Sequence, residues 1–263
     1  SRLAPRTARG NMASYDVQAD IHAQPEGVFT FFSPQFTQAF AASLSVIVVS
    51  ELGDKTFFIA AVMAMRHSRL TIFTGAIGAL GLMTILSCLM GHALPSMLPR
   101  KYTHYASAIL FLVFGVRLLR DASAMEGGGA SDELEEVEAE LGKKEEDGPD
   151  ASADDVESGA PRREPTRKAS LLPPALVQSF TLTFLAEWGD RSQIATIALA
   201  AAKDPIGVTI GGTLGHALCT GLAVIGGRML ASHISERMVA FVGGGLFLIF
   251  AVVALVEGPD SAL

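Results

Sequence analysis

A chain of 263 residues that is 49% hydrophobic and only 18% charged is too apolar for an ordinary soluble domain, and its apolar residues come in runs long enough to cross a bilayer. The net charge of −7 is concentrated: residues 121 to 169 hold sixteen Asp and Glu against six Lys and Arg, a balance of −10 that leaves the rest at +3, so the acidity says nothing about the partners of the membrane part. Cys88 and Cys219 both fall inside apolar runs, so no disulfide framework is implied.

In chain order, residues 1 to 34 read as a polar tail without the apolar core of a signal peptide, and a targeting segment removed ahead of Ser1 is compatible with that. The first span is expected from Gln35 to Met65, about 45 Å at helical rise against a hydrocarbon core of about 30 Å, so tilt or a break near Gly53 must absorb the excess. Spans from Leu70 to Ala93 and from His104 to Leu119 follow. The acidic stretch 121–169, opened by Gly127-Gly128-Gly129 and broken by Pro149, Pro161 and Pro165, reads as a disordered linker. One short helix is compatible with Leu134, Val137 and Leu141 behind a Ser131 cap. By composition this linker should neither pack nor line a membrane site. Three more spans are expected over Leu171–Ala202, Pro205–Gly227 and Met238–Val256, before a tail at 258–263.

The two halves repeat. Shifting the first by 136 positions (187 minus 51) lays it on the second without a gap: Ser43 meets Ser179, Glu51 meets Glu187, Gly75 meets Gly211, Thr84 meets Thr220 and Gly91 meets Gly227. A gapless register that carries polar positions through apolar runs marks a duplication of three spans, residues 35–120 and 170–257. Three is odd, so the second copy must start from the opposite side of the membrane. The expected fold is an all-α integral membrane protein of six transmembrane helices, arranged as two inverted three-helix repeats. Arg66, Arg69, Arg117, Arg120, Arg167, Lys168, Arg228 and Arg237 gather on one side, against Arg100, Lys101 and Lys203 on the other. The first side, which carries the acidic linker, should be cytosolic, with both termini across the membrane.

Each repeat is centred on one motif, Glu51-Leu52-Gly53-Asp54-Lys55-Thr56 or Glu187-Trp188-Gly189-Asp190-Arg191-Ser192. On a helix, a Glu and an Asp three apart share a face. Six charges at the bilayer centre would cost roughly 15–20 kcal/mol unpaired, so they must face the bundle interior and one another. Two cations against four carboxylates leave a formal −2, which one divalent cation or two protons would neutralise. Glu51, Asp54, Glu187 and Asp190 are therefore the expected metal ligands. Thr56 and Ser192 are candidate hydroxyl ligands, although an unbroken helix would point them about 100° away from the Asp.

Lys55 and Arg191 are supporting charges, each four residues after its Glu in the register of an intrahelical pair. Alone, such pairing would merely fix helix register. Gly53 and Gly189 suit either close helix contact or a break that bares backbone carbonyls. His216 is either a satisfied buried histidine or a ligand or proton relay. Trp188 reads as packing, and Gly75, Gly78, Gly81, Gly211, Gly212, Gly215 and Gly221 as close-contact positions between helices. Hard oxygen donors without Cys or clustered His suit Ca2+, Mn2+ or Mg2+ and argue against zinc or copper.

The duplicated Glu-x-Gly-Asp-(Lys/Arg)-(Thr/Ser) motif, with its acidic linker, resembles the eukaryotic Golgi cation/proton exchanger family, that of transmembrane protein 165 and its yeast Gdt counterpart. The resemblance spans about residues 35 to 257, and Phe57-Phe58-Ile59-Ala60-Ala61 and Leu182-Thr183-Phe184-Leu185-Ala186 look like the animal members. It implies an antiporter of the Golgi membrane that carries Mn2+ and Ca2+ from cytosol to lumen in exchange for protons. Support of manganese and calcium homeostasis and of protein glycosylation would follow. By this likeness Glu51, Asp54, Glu187 and Asp190 form the cation site. No permanently bound cofactor, no enzymatic activity and no nucleic-acid partner are implied; the partners are the bilayer, divalent cations and protons, and a homo-oligomer is compatible. Two rivals share the residues. A cation channel needs the same carboxylates without proton coupling. An intramembrane aspartyl protease would use Gly-Asp in a span, but here each Asp comes with its own Glu and a neighbouring cation, which suits a metal better than a shared proton.

Overall fold

The computed structural model describes residues 33–125, 129–146, 172–231 and 235–258. Residues 1–32, 126–128, 147–171, 232–234 and 259–263 lie outside these. Among the described residues there are nine helices and no strand: α1 (Pro34–Glu51), α2 (Lys55–Arg66), α3 (Arg69–Met97), α4 (Arg100–Ala124), α5 (Gly129–Glu146), α6 (Pro174–Glu187), α7 (Arg191–Ala202), α8 (Pro205–Ala231) and α9 (Glu236–Glu257).

The first expected span is not one helix. α1 starts on Ser33, whose hydroxyl accepts from the Phe36 amide, with Pro34 preset for the first turn. It stops at Glu51 because Leu52 is extended and Gly53 is left-handed at φ 81°. α2 restarts at once from extended Asp54. The break recurs in the second half: α6 ends at Glu187, Gly189 is left-handed at φ 86°, and the Asp190 carboxylate caps α7 by accepting from the Ser192 amide. A Cβ in that conformation costs about 1–2 kcal/mol, so both motifs need glycine there. Of the two roles open to Gly53 and Gly189, the helix break is the one that is built.

Among the described residues, four helices are long and apolar enough to cross a membrane: Arg69–Met97, Lys101–Ala124, Pro205–Gly227 and Arg237–Glu257. The broken pairs run alongside two of them. Phe40, Ile47 and Met65 meet Gly211, Gly215 and Gly227, so α1 and then α2 follow α8. Leu176 and Ile197 meet Gly75 and Gly91, so α6 and then α7 follow α3. α3 and α8 cross antiparallel, with Phe73 near Gly221 and Thr84 on Gly212. α4 and α9 also run antiparallel, Gly115 against Leu248 and His104 Nε2 2.7 Å from the Ala254 carbonyl. Large apolar side chains such as Leu89, Ile109, Leu218, Ile225 and Val252 remain exposed on the outer faces, as lipid contact demands.

Each long helix therefore packs on the broken pair of the other half, and the contacts come in equivalent pairs. Ser43 donates to the Val208 carbonyl at 2.8 Å, and Ser179 donates to the Ile72 carbonyl at 3.0 Å. A Cβ on Gly75 would lie 2.7 Å from the Leu176 carbonyl oxygen, and Gly211 presses on the equivalent Phe40 carbonyl just as closely. The glycines of α3 and α8 are the close-contact positions that their spacing suggests.

The linker departs from its composition. α5 forms, and Leu134, Val137 and Leu141 are buried in one apolar cluster with Phe57 to Ala64 of α2, Ile72, Ala223 and Val224. Three apolar residues on one face suffice to dock an otherwise acidic helix, which average composition conceals. The Ser131 side chain lies outside the described residues.

Candidate functional site

The two helix breaks place both glutamates at helix ends inside the bundle. Glu51 is 3% and Glu187 2% exposed. Thr56 Oγ donates to Glu51 Oε2 at 3.3 Å, and Ser192 Oγ donates to Glu187 Oε2 at 3.3 Å. An unbroken helix would aim these hydroxyls away. The left-handed glycine folds the start of the next helix back, so each hydroxyl meets its own motif's glutamate. The break thus makes a carboxylate–hydroxyl unit, twice.

The units come together across the halves. Glu51, Glu187 and Asp190 each present one carboxylate oxygen, all within 4.8 Å of one another. Oxygens that far apart can bind one hard cation, whose bonds to oxygen are about 2.0–2.6 Å long. Glu187 Oε1 is buried without a hydrogen-bond partner, as are Thr183 Oγ1 and His216 Nδ1. A buried carboxylate oxygen left open is costly in a protein interior, and a cation or a proton would each relieve that cost. His216 is 4% exposed, and its Nδ1 lies 3.9 Å from Glu51 Oε1, beyond hydrogen-bond reach.

Asp54 stands at the edge of this group, where the Arg191 guanidinium reaches it at 3.7 Å and Asp190 at 4.0 Å. The intrahelical pairs suggested by the four-residue spacing do not form, because each helix ends between the two partners. Lys55 instead donates to Glu140 of α5 at 3.0 Å. Trp188 is exposed, and its ring lies tilted at 45° against Phe184 with centroids 5.4 Å apart. Motif spacing carried no sign of Glu140 or Thr183; Glu140 follows only from the register of Leu134, Val137 and Leu141, which puts it at the edge of the buried face.

Two cavities lie at opposite ends of α4. One of about 110 Å³ reaches from Gly53, Asp54 and Arg191 to Leu118 and Asp121. The other, about 440 Å³, is walled by His92, His104, Lys203, Asp204 and Glu257, with Lys203 and Glu257 paired at 3.5 Å. Phe111 lines the larger and Phe247 the smaller, and their rings pack 5.9 Å apart.

An all-helical bundle with membrane-length apolar helices and paired helix breaks over a buried carboxylate cluster suits an ion-transport protein. The sequence model of the divalent cation/proton antiporter GDT1 matches residues 39–126 and again 175–262. GDT1-like protein 3 of Arabidopsis thaliana is 45% identical over 255 residues, covering 95% of this chain and 79% of that protein. GDT1-like protein 5 of the same plant is 43% identical over 85% of this chain and 98% of its own. GDT1-like protein sll0615 of Synechocystis sp. is 44% identical over 82% of this chain and 96% of its own. No solved structure matches. The chain belongs to the GDT1 family of divalent cation/proton antiporters, a transporter family.

Proposed function

We propose that this antiporter exchanges Mn2+ and Ca2+ for protons through one central site made by both motifs. Glu51, Glu187 and Asp190 are the first ligands, with Asp54 completing the carboxylates and Thr56 and Ser192 supporting them. The observation that carries the reading is the three-carboxylate cluster with its open Glu187 oxygen. Carboxylates that bind either a cation or protons couple the two directly, because both neutralise the same charge deficit. His216, beside Glu51, serves that exchange as a further ligand or relay. The oxygen-only carboxylate set favours Mn2+ and Ca2+ over softer metals.

The proposed architecture is six spans in two inverted repeats, 35–120 and 170–257. The antiparallel crossings of α3 with α8 and of α4 with α9 support it. The cavities at opposite ends of α4, divided by the Phe111–Phe247 contact, suit alternating access by one repeat rocking on the other. With the linker cytosolic and the termini lumenal, transport into the Golgi lumen would supply metal for protein glycosylation and for manganese and calcium homeostasis. The test is cation-driven proton flux in proteoliposomes, scanned across Mn2+, Ca2+ and Mg2+. Mn2+ and Ca2+ should each move protons, and Glu187→Gln should abolish it. Cation flux that moves no protons would instead make the protein a channel.

A further inference from the structure

The motif cations Lys55 and Arg191 occupy equivalent positions (191 minus 55 is 136) yet meet different partners. Arg191 stays at the site, on Asp54 and Asp190. Lys55 is taken by Glu140 of the linker helix at 3.0 Å. Among the described residues, the linker helix reaches the first of these two cations. We propose that Glu140 is a positioning residue for the cation site: it holds the Lys55 ammonium off the carboxylates that take the cation. This rests on the cation-site reading above.

The Lys55–Glu140 pair is half exposed on both sides, so it adds little to the stability of the fold. α5 is anchored instead by Leu134, Val137 and Leu141, which are buried against α2. The ion pair is therefore free to act on where a charge sits. Lysine is a compact charge on a flexible four-carbon stem. Rooted one residue from Asp54 and four from Glu51, a released Lys55 would be a tethered competitor for the same carboxylates. With Glu140 holding it, the cluster keeps a larger negative charge for an incoming divalent cation. α5 thereby couples the state of the linker to cation affinity.

The test is a cycle of Glu140→Gln, Lys55→Gln and the double variant, reconstituted at full length and assayed for Mn2+-driven proton flux. Glu140→Gln should raise the apparent KM for Mn2+ by about threefold to tenfold while the maximal rate moves less than about twofold. Lys55→Gln in that background should return KM to the wild-type value, and Glu140→Asp should hold it near wild type. A purely structural role for Glu140 predicts no such rescue. An unchanged KM in Glu140→Gln, or a double variant as impaired as the single, overturns the proposal. If Glu140→Gln does not fold, Lys55→Gln alone decides: an unchanged or lowered KM supports the proposal, and a raised one overturns it. Glu51→Gln, run in parallel, separates this from the site itself: if wild type drives no Mn2+-dependent flux, or Glu51→Gln leaves it intact, the cation-site reading falls first.

Discussion

At the first motif the basic residue is drawn outward, Lys55 to Glu140 of the linker helix; at the second it turns inward, Arg191 to Asp54 and Asp190. Beside Glu51 stands His216, while its equivalent in the first half, Leu80 (216 minus 136), is apolar. Glu187 instead keeps an oxygen without a hydrogen-bond partner. The two halves share their helix breaks, their hydroxyl–glutamate bonds and their serine–carbonyl bonds. What differs is the charge around each glutamate. Duplication gave the site its frame, and later divergence of single residues gave its two halves different surroundings.

The most severe way to test that frame is to neutralise the glutamates. Glu51→Gln and Glu187→Gln should each cut cation-driven proton flux by about a hundredfold or more, and the double variant should be hardly worse, since groups acting as one unit are non-additive. Near-half activity in each single variant would mean two independent sites.

Next come the motif cations, where the halves should separate. Arg191→Gln removes the cation that Asp54 and Asp190 share and should lower flux about tenfold, whereas Lys55→Gln should change it by less than about threefold. Equal losses in matched flux assays would erase the asymmetry.

A smaller effect is expected from the linker. Placing a charge at the buried face of α5 with Val137→Asp should undock the helix and raise the cation KM as Glu140→Gln does. Deleting residues 147–160 should leave KM unchanged. Hydrogen exchange of the α2 amides reports the docking: faster exchange in Val137→Asp without a change in KM would separate the helix from the site.

The mildest contrast is at the breaks. Gly189→Ala meets no atom within 4 Å and should cost only the left-handed backbone strain, about 1–2 kcal/mol in a thermal melt. Gly53 is buried, so Gly53→Ala should cost more than Gly189→Ala. A smaller loss at Gly53 would place the crowding in the wrong half.

The sequence by itself determined that the chain is helical and membrane-bound and that its halves repeat at an offset of 136, and it pointed to Glu51, Asp54, Glu187 and Asp190 as one polar centre, three of which the fold gathers. Hydrophobic runs, helical spacing and the expense of buried charge are local or additive, so one strand of text carries them. The choice between a continuous helix and a break at Gly53 was open in the sequence, because glycine serves both. Packing closed it: α1 and α2 must follow α8, while Thr56 turns back to Glu51. The partners of Lys55 and Arg191 were decided only in three dimensions. A four-residue spacing predicts a pair on an intact helix, and once the helix ends between the two residues, each cation is free to find a carboxylate far away in sequence. The docking of α5 was hidden for a related reason: net acidity describes the whole linker, whereas burial depends on one face of a few residues meeting an apolar groove that the rest of the chain supplies.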